Sequence, residues 1–200
     1  MEAIYQFFVM AIVAITLENA VFSRGFGIIR GAQFSYRPRA MVAFCVAVVD
    51  LTLTTSLLTW AVSNLLGDRI PSQYVVYLRP VMFFLCAAVS YIAYYLLAGK
   101  LLPKYFAEFK GILPLAAFNC TVLGASLISA NQNFSAAQWL GFGLGTGLGY
   151  CLASFILYVG RRRLHLSTIP KAFQGLPIML LFIGLVSLAL YGLAGHQLPI

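Results

Sequence analysis

An all-α integral membrane protein, built from six transmembrane helices in two inverted three-helix repeats, is the fold class this sequence predicts, and three observations predict it. Hydrophobic residues make up 62% of the chain and charged ones only 9%, where soluble domains carry roughly 25% charge. Between Lys110 and Arg161 no charged residue occurs, and an uncharged run of that length needs about two membrane crossings. Features of the first hundred residues also return in the second hundred.

The segments follow in order. Each is long enough for about 30 Å of hydrocarbon. The first, residues 4 to 23, runs apolar from Ile4 until Glu18 and Asn19 interrupt it; an opening Met1-Glu2 lacks the basic start of a signal peptide, so the segment is expected to stay. The second, 40 to 66, follows a basic stretch and carries Asp50 near its middle. The third is 74 to 98. The fourth, 111 to 130, opens on Gly111 and holds Asn119 and Cys120. The fifth, 136 to 160, is rich in glycine, and the sixth is 175 to 195. The short loops leave no room for a soluble domain, so residues 1 to 200 read as a single membrane domain.

Basic residues set the orientation through the positive-inside rule. Arg24, Arg30, Arg37 and Arg39 follow segment 1, Lys100, Lys104 and Lys110 separate segments 3 and 4, and Arg161, Arg162, Arg163 and Lys171 separate 5 and 6. Only Arg69 and Arg79 lie on the other side. The N-terminus and the C-terminus are therefore expected outside. The net charge of +8 has no soluble face on which to bind nucleic acid, and topology explains it better.

The repeat has an offset of 100. ENAVFSRG at 18 to 25 lies against FNCTVLGA at 118 to 125, matching Asn19 to Asn119. Ile70-Pro71 and Ile169-Pro170 each precede a second proline and an apolar run. Three crossings per half turn the second copy over, which makes repeat 1 (about 1 to 100) and repeat 2 (about 101 to 200) an inverted pair.

Polar groups inside the bilayer mark where helices 1 and 4 are expected to break or re-enter. At 1.5 Å per residue, Glu18 and Asn19 lie about 20 Å along a helix begun at Ile4, and Asn119 lies about 13 Å beyond Lys110. Irregular backbone at that depth must be buried in protein or line a cavity. Asn19 and Asn119 either join helices by hydrogen bonds or support such breaks, and their recurrence favours the second reading. Gly25, Gly27, Gly124 and Pro114 would ease the breaks. A carboxylate in hydrocarbon is a site hypothesis by default, and for Glu18 and Asp50 two readings stand: a proton or cation path, or a hydrogen-bonded structural acid. Pairing of Glu18 with Arg24, six residues on, requires the chain to fold back.

Other features read blandly. Cys45, Cys86, Cys120 and Cys151 are widely spaced with no CxxC, so neither zinc nor a disulfide framework follows. Apart from Cys120 they read as inert core thiols. Gly141, Gly145 and Gly149, with Gly143 and Gly147 between, predict close helix packing. His165 and His196 fall on opposite sides of the membrane and make no shared site.

At GILPLAAFNCTVLGASL, Gly111 to Leu127, the chain resembles the Rnf/Nqr membrane-subunit family, in which an LPL..TNCAVLG stretch opens the second half. YLRP at 77 to 80 and IPKAFQG at 169 to 175 extend the likeness over essentially the whole chain. Length and outward termini match the A-type subunit of Rnf electron transport complexes and the E-type subunit of the sodium-translocating NADH:quinone reductase. The resemblance implies a subunit of the bacterial or archaeal cytoplasmic membrane that helps carry electrons and couples them to Na⁺ or H⁺ translocation, and is not catalytic alone. It implies a homologous partner of opposite topology, other subunits of a redox complex, and a 2Fe-2S cluster shared with that partner, for which Cys120 matches a metal ligand. The first-half ligand of the family falls on Ile29, whose alkyl side chain cannot ligate iron. That departure leaves an alternative of another class: a divergent non-redox paralogue acting as a small inverted-repeat transporter or membrane assembly subunit.

Overall fold

The computed structural model describes residues 1–34, 38–67, 72–101, 110–165, 170 and 173–194. The helices are α1 (Glu2–Ile15), α2 (Ile28–Phe34), α3 (Pro38–Gly67), α4 (Ser72–Leu101), α5 (Leu113–Ala117), α6 (Cys120–Asn131), α7 (Ala136–His165) and α8 (Leu176–Ala194). No strand occurs among the described residues. The spans Pro38–Leu65, Tyr74–Lys100, Leu113–Asn131 and Ala136–Leu164 are long and apolar enough to cross a membrane, while Glu2–Ile15 and Leu176–Gly192 are shorter apolar helices. Ile70, Ile169, Arg37, Arg69, Lys104, Lys171 and His196 lie outside the described residues, as does part of IPKAFQG.

The first segment is where the boundaries differ most from expectation. Helix α1 stops at Ile15 rather than near residue 23: Thr16 N–H still bonds the Ile12 carbonyl at 3.0 Å, but Glu18 N–H bonds the Val13 carbonyl, five residues back, at 2.8 Å, and Asn19 Oδ1 takes the next free amides, those of Val21 and Phe22. Fourteen residues rise about 21 Å, short of a full crossing. The other long helices exceed their predicted ranges: α3, α4 and α7 each have 30 residues.

Packing centres on α7, and its glycines explain why. A Cβ on Gly141 or Gly145 would strike the carbonyl oxygen of Phe7 or Ala11, and one on Gly149 would come within 3.0 Å of the Ala14 carbonyl. One ridge of α7 is thus pressed against α1. Gly143 and Gly147 do the same on another face, against Ser56 Oγ and, at 2.6 Å, Thr52 Oγ1 of α3. Small residues permit such backbone approach between membrane helices. The arrangement is crossed: α1 lies along α7, while α5 and α6 lie along α3. Phe44, Val48 and Leu51 of α3 meet Tyr150, Ala153 and Leu157 of α7 in the main core, which Val21 and Phe22 join from the first break and Leu113 and Ala116 from α5. Helix α8 packs at the edge, on α7.

Candidate functional site

Two interruptions of helix meet inside the bundle. The first covers residues 16 to 27 between α1 and α2, the second Phe118 and Asn119 between α5 and α6. Each is organised by the asparagine that the repeat aligns.

Asn19 is 1% exposed. Its Oδ1 accepts the N–H groups of Val21 (3.0 Å) and Phe22 (3.2 Å), and its Nδ2 donates to the carbonyls of Ile15 (2.9 Å) and Gly149 (3.1 Å). One side chain therefore closes the end of α1, starts the next turn and ties both to α7. Asn119 is the N-cap of α6: its Oδ1 accepts Thr121 N–H at 3.2 Å and the Thr121 hydroxyl at 3.3 Å. Such a cap satisfies amides that a helix start leaves free. Nδ2 of Asn119, also buried, meets no hydrogen-bond acceptor in good geometry among the described residues.

Gly27 joins the breaks. Its N–H donates to Cys120 Sγ at 3.0 Å, and its carbonyl accepts the Tyr150 hydroxyl at 3.3 Å. A positive φ of +70° places the residue where side chains are disfavoured, and a Cβ there would lie 2.7 Å from the Tyr150 ring and 2.9 Å from Asn119 Oδ1. Reciprocally, the Phe26 ring fills the space that a Cβ on Gly124 would need. The two asparagines stay in their own breaks, and contact between breaks runs through Gly27.

A cleft of about 560 Å³ opens beside this contact, lined among others by Gly25, Ile29, Arg30, Phe118, Asn119 and Cys120. The Cys120 thiol is exposed to it. Ile29, 72% exposed, lines the same cleft. Glu18 folds back to Arg24, as pairing requires, with Oε2 accepting Nε–H at 2.8 Å; this pair lies in a different groove, of about 660 Å³, against Ser187 and Tyr191 of α8. Asp50 is elsewhere again. Its Oδ2 accepts the Tyr94 hydroxyl of α4 at 2.7 Å, and it lines a groove between α3 and α7.

The structure thus brings Asn119 and Cys120 to the first break and leaves Glu18 and Asp50 in separate settings. Tyr150, Thr121 and Tyr94 were not legible as site residues: each is an ordinary residue of an apolar helix until its partner is known. Among the described residues, no three His, Cys, Asp or Glu side chains converge to hold a metal ion.

Residues 7–197 match the family described as Rnf-Nqr subunit, membrane protein. The A-type subunit of the Na⁺-translocating ferredoxin:NAD⁺ oxidoreductase complex of Acetobacterium woodii is 33% identical over 186 residues, covering 92% of this chain and 95% of that protein. Its counterpart in the ion-translocating oxidoreductase complex of Syntrophotalea carbinolica is 31% identical over 183 residues, covering 91% and 93%. The A-type subunit of the proton-translocating ferredoxin:NAD⁺ oxidoreductase complex of Clostridium ljungdahlii is 28% identical over 190 residues, covering 95% and 97%.

Proposed function

The chain belongs to the Rnf-Nqr family of membrane subunits, and from that premise we propose that it serves as the A-type subunit of an ion-translocating oxidoreductase complex in the bacterial cytoplasmic membrane. In that role it helps couple electron transport to movement of Na⁺ or H⁺. Among relatives of similar identity one is named for sodium and another for protons, so the ion is not carried over with the family.

The observation that carries the reading is the meeting of the two breaks, Gly27 N–H on Cys120 Sγ at 3.0 Å. A bundle needing only to span lipid has no use for interrupted helices, whose freed amides cost several kcal/mol each in hydrocarbon. The inverted repeat is supported by shared chemistry: Asn19 and Asn119 each accept the N–H two residues on, and α1 lies along α7 as α5 and α6 lie along α3. Six crossings with outward termini follow from this repeat together with the placement of basic residues. The cleft at Cys120 is the face offered to a homologous membrane subunit of opposite topology.

The residues do not fit the family's share of a four-thiolate 2Fe-2S cluster. This chain brings one thiol to the cleft, Cys120, and the first break brings Ile29, which has no lone pair to give. Cys45, Cys86 and Cys151 all belong to other helices, α3, α4 and α7. Of the two acids, Glu18 supports the break through Arg24, and Asp50, held by Tyr94, is the group on which a proton or cation path through this chain would turn.

Membranes of a strain lacking this chain test the function. Ion-dependent ferredoxin:NAD⁺ oxidoreductase activity is expected to vanish and to return with the wild-type gene, and the tagged chain should co-purify with redox subunits. Purification of the chain alone, with ion uptake into liposomes that Asp50→Asn abolishes and no redox partner present, would establish the transporter reading instead.

A further inference from the structure

The Glu18–Arg24 pair lies where a membrane protein does not leave charge facing lipid. Asn19, next to Glu18, donates to the Gly149 carbonyl at 3.1 Å, which fixes the level of Glu18 along α7: about 18 Å from Arg161 and about 20 Å from Ala136, at 1.5 Å per residue. Ser187 and Tyr191 share the groove with the pair and lie about 16 to 22 Å along α8 from Leu176. Both measures put the pair near the middle of a hydrocarbon layer about 30 Å thick.

Yet the two side chains are 40% and 37% exposed. Their contacts converge on one carboxylate oxygen, for Glu18 Oε2 accepts Arg24 Nε–H at 2.8 Å and meets Nη2 at 2.6 Å. The groove in front of them, about 660 Å³, runs between Leu17 and Phe22 of the first break and Leu188 and Tyr191 of α8. Its rims are apolar and open: Leu17, Leu188 and Tyr191 are all exposed.

Acyl chains offer such a pair no hydrogen bond, and ionisable groups at this depth face protein or enclosed water rather than lipid. The headgroups, the nearest polar atoms of the bilayer, are about 15 Å away. A membrane-spanning protein segment does bring polar side chains to this level. Because an ion pair carries no net charge, a charged partner would itself be stranded in hydrocarbon, and the matching group is an uncharged hydroxyl or amide. A second copy of this chain would bring another ion pair to the same level, where an uncharged partner adds none. We propose that the groove between the first break and α8 receives a transmembrane helix of another subunit of the complex, apolar except for a hydroxyl or amide side chain that bonds the Glu18–Arg24 pair. The inference rests on the reading of this chain as a complex subunit. A groove between two elements accepts the ridge of a third helix, and α8 stands at the edge of the bundle with Leu181, Leu185 and Leu188 turned outward. Residues 17 to 24 then face one partner, and residues 25 to 30, which line the cleft at Cys120, face another. The first break is held from both sides.

Photocrosslinking in intact cells that make the whole complex tests this. p-Benzoylphenylalanine is placed at Leu188 on one wall of the groove and, separately, at Leu17 on the other; the tagged chain is purified after irradiation and its adducts are identified by mass spectrometry. Both positions are expected to capture the same membrane subunit of the complex, on one helix, beside a Ser, Thr, Asn or Gln. With Glu18→Leu/Arg24→Leu the adduct yield should fall about tenfold, the effect of losing a hydrogen bond to a charged group, while the amount of chain in the membrane stays the same. Should that variant fail to accumulate, Glu18→Gln, which keeps the side chain's shape, carries the comparison and should lower the yield severalfold. Adducts with a second copy of this chain, with lipid alone, or with different subunits from the two walls would overturn the inference, as would an unchanged yield in the variants. Each of those results leaves the redox subunits in the purified material. Their absence would instead overturn the reading of the chain as a complex subunit, and this inference with it.

Discussion

The two helix breaks solve one problem with different means. In the second, Asn119 caps α6 directly after Phe118, and two non-helical residues suffice. In the first, twelve residues leave the helix, and two glycines adopt positive φ before α2 begins. Among the described residues the short break leaves a buried amide nitrogen without a well-placed acceptor, whereas Asn19 uses both of its polar atoms, each twice. The longer break is therefore the better satisfied, and it holds the Glu18–Arg24 pair. The shorter one holds the exposed thiol. Two breaks capped by the same residue type thus carry different side chains into one cleft, Ile29 from the first and Cys120 beside the second.

The comparison can be broken most directly at Gly27. Gly27→Ala combines a left-handed backbone conformation, about 1–2 kcal/mol, with overpacking against Tyr150, Thr121 and Asn119, about 1–3 kcal/mol. Denaturant titration in mixed micelles is expected to show a loss near the top of that combined range. Gly25→Ala should show only the conformational part, because the nearest atom, Ile28 Cδ1, lies 3.8 Å from the added Cβ. Equal losses would mean that the breaks do not depend on close contact at Gly27.

Next come the asparagines. Asn19→Ala orphans two buried N–H groups, at about 1–3 kcal/mol each, and should cost about 3 kcal/mol. Asn119→Ala removes one cap, about 1 kcal/mol, and sheds a nitrogen that had no well-placed acceptor. The same titration would refute this account of satisfaction if the order reversed. The smallest effect belongs to Glu18→Gln. Its pair with Arg24 is about two-fifths exposed on both sides, and such pairs contribute roughly 0–1 kcal/mol. A loss above that range would give the pair a structural weight that its exposure does not suggest.

Much of the fold was legible because it rests on local chemistry. Apolar runs gave the spans within a few residues, except at the first break, where Asn19 takes the amides of Val21 and Phe22 and α1 ends early. Asn19 and Asn119 were legible as helix-break positions, since a buried amide side chain has few other uses in lipid. The α7 glycines were legible as packing surfaces, though not which ridge meets which helix. Tyr94 beneath Asp50 and Tyr150 beneath Gly27 were not legible, because nothing in a tyrosine's neighbours along the chain marks its partner across the bundle.

By itself the sequence determined the class, the positions of the spans and the breaks, for these depend on what each side chain can or cannot do in hydrocarbon. Only the tertiary structure decided the partnerships: Gly27 with Cys120, Glu18 with Arg24, and Asp50 with Tyr94. The physical reason is that helical periodicity assigns a residue to a face, while the residue opposite is set by how helices distant in sequence pack, a choice made by the whole core at once.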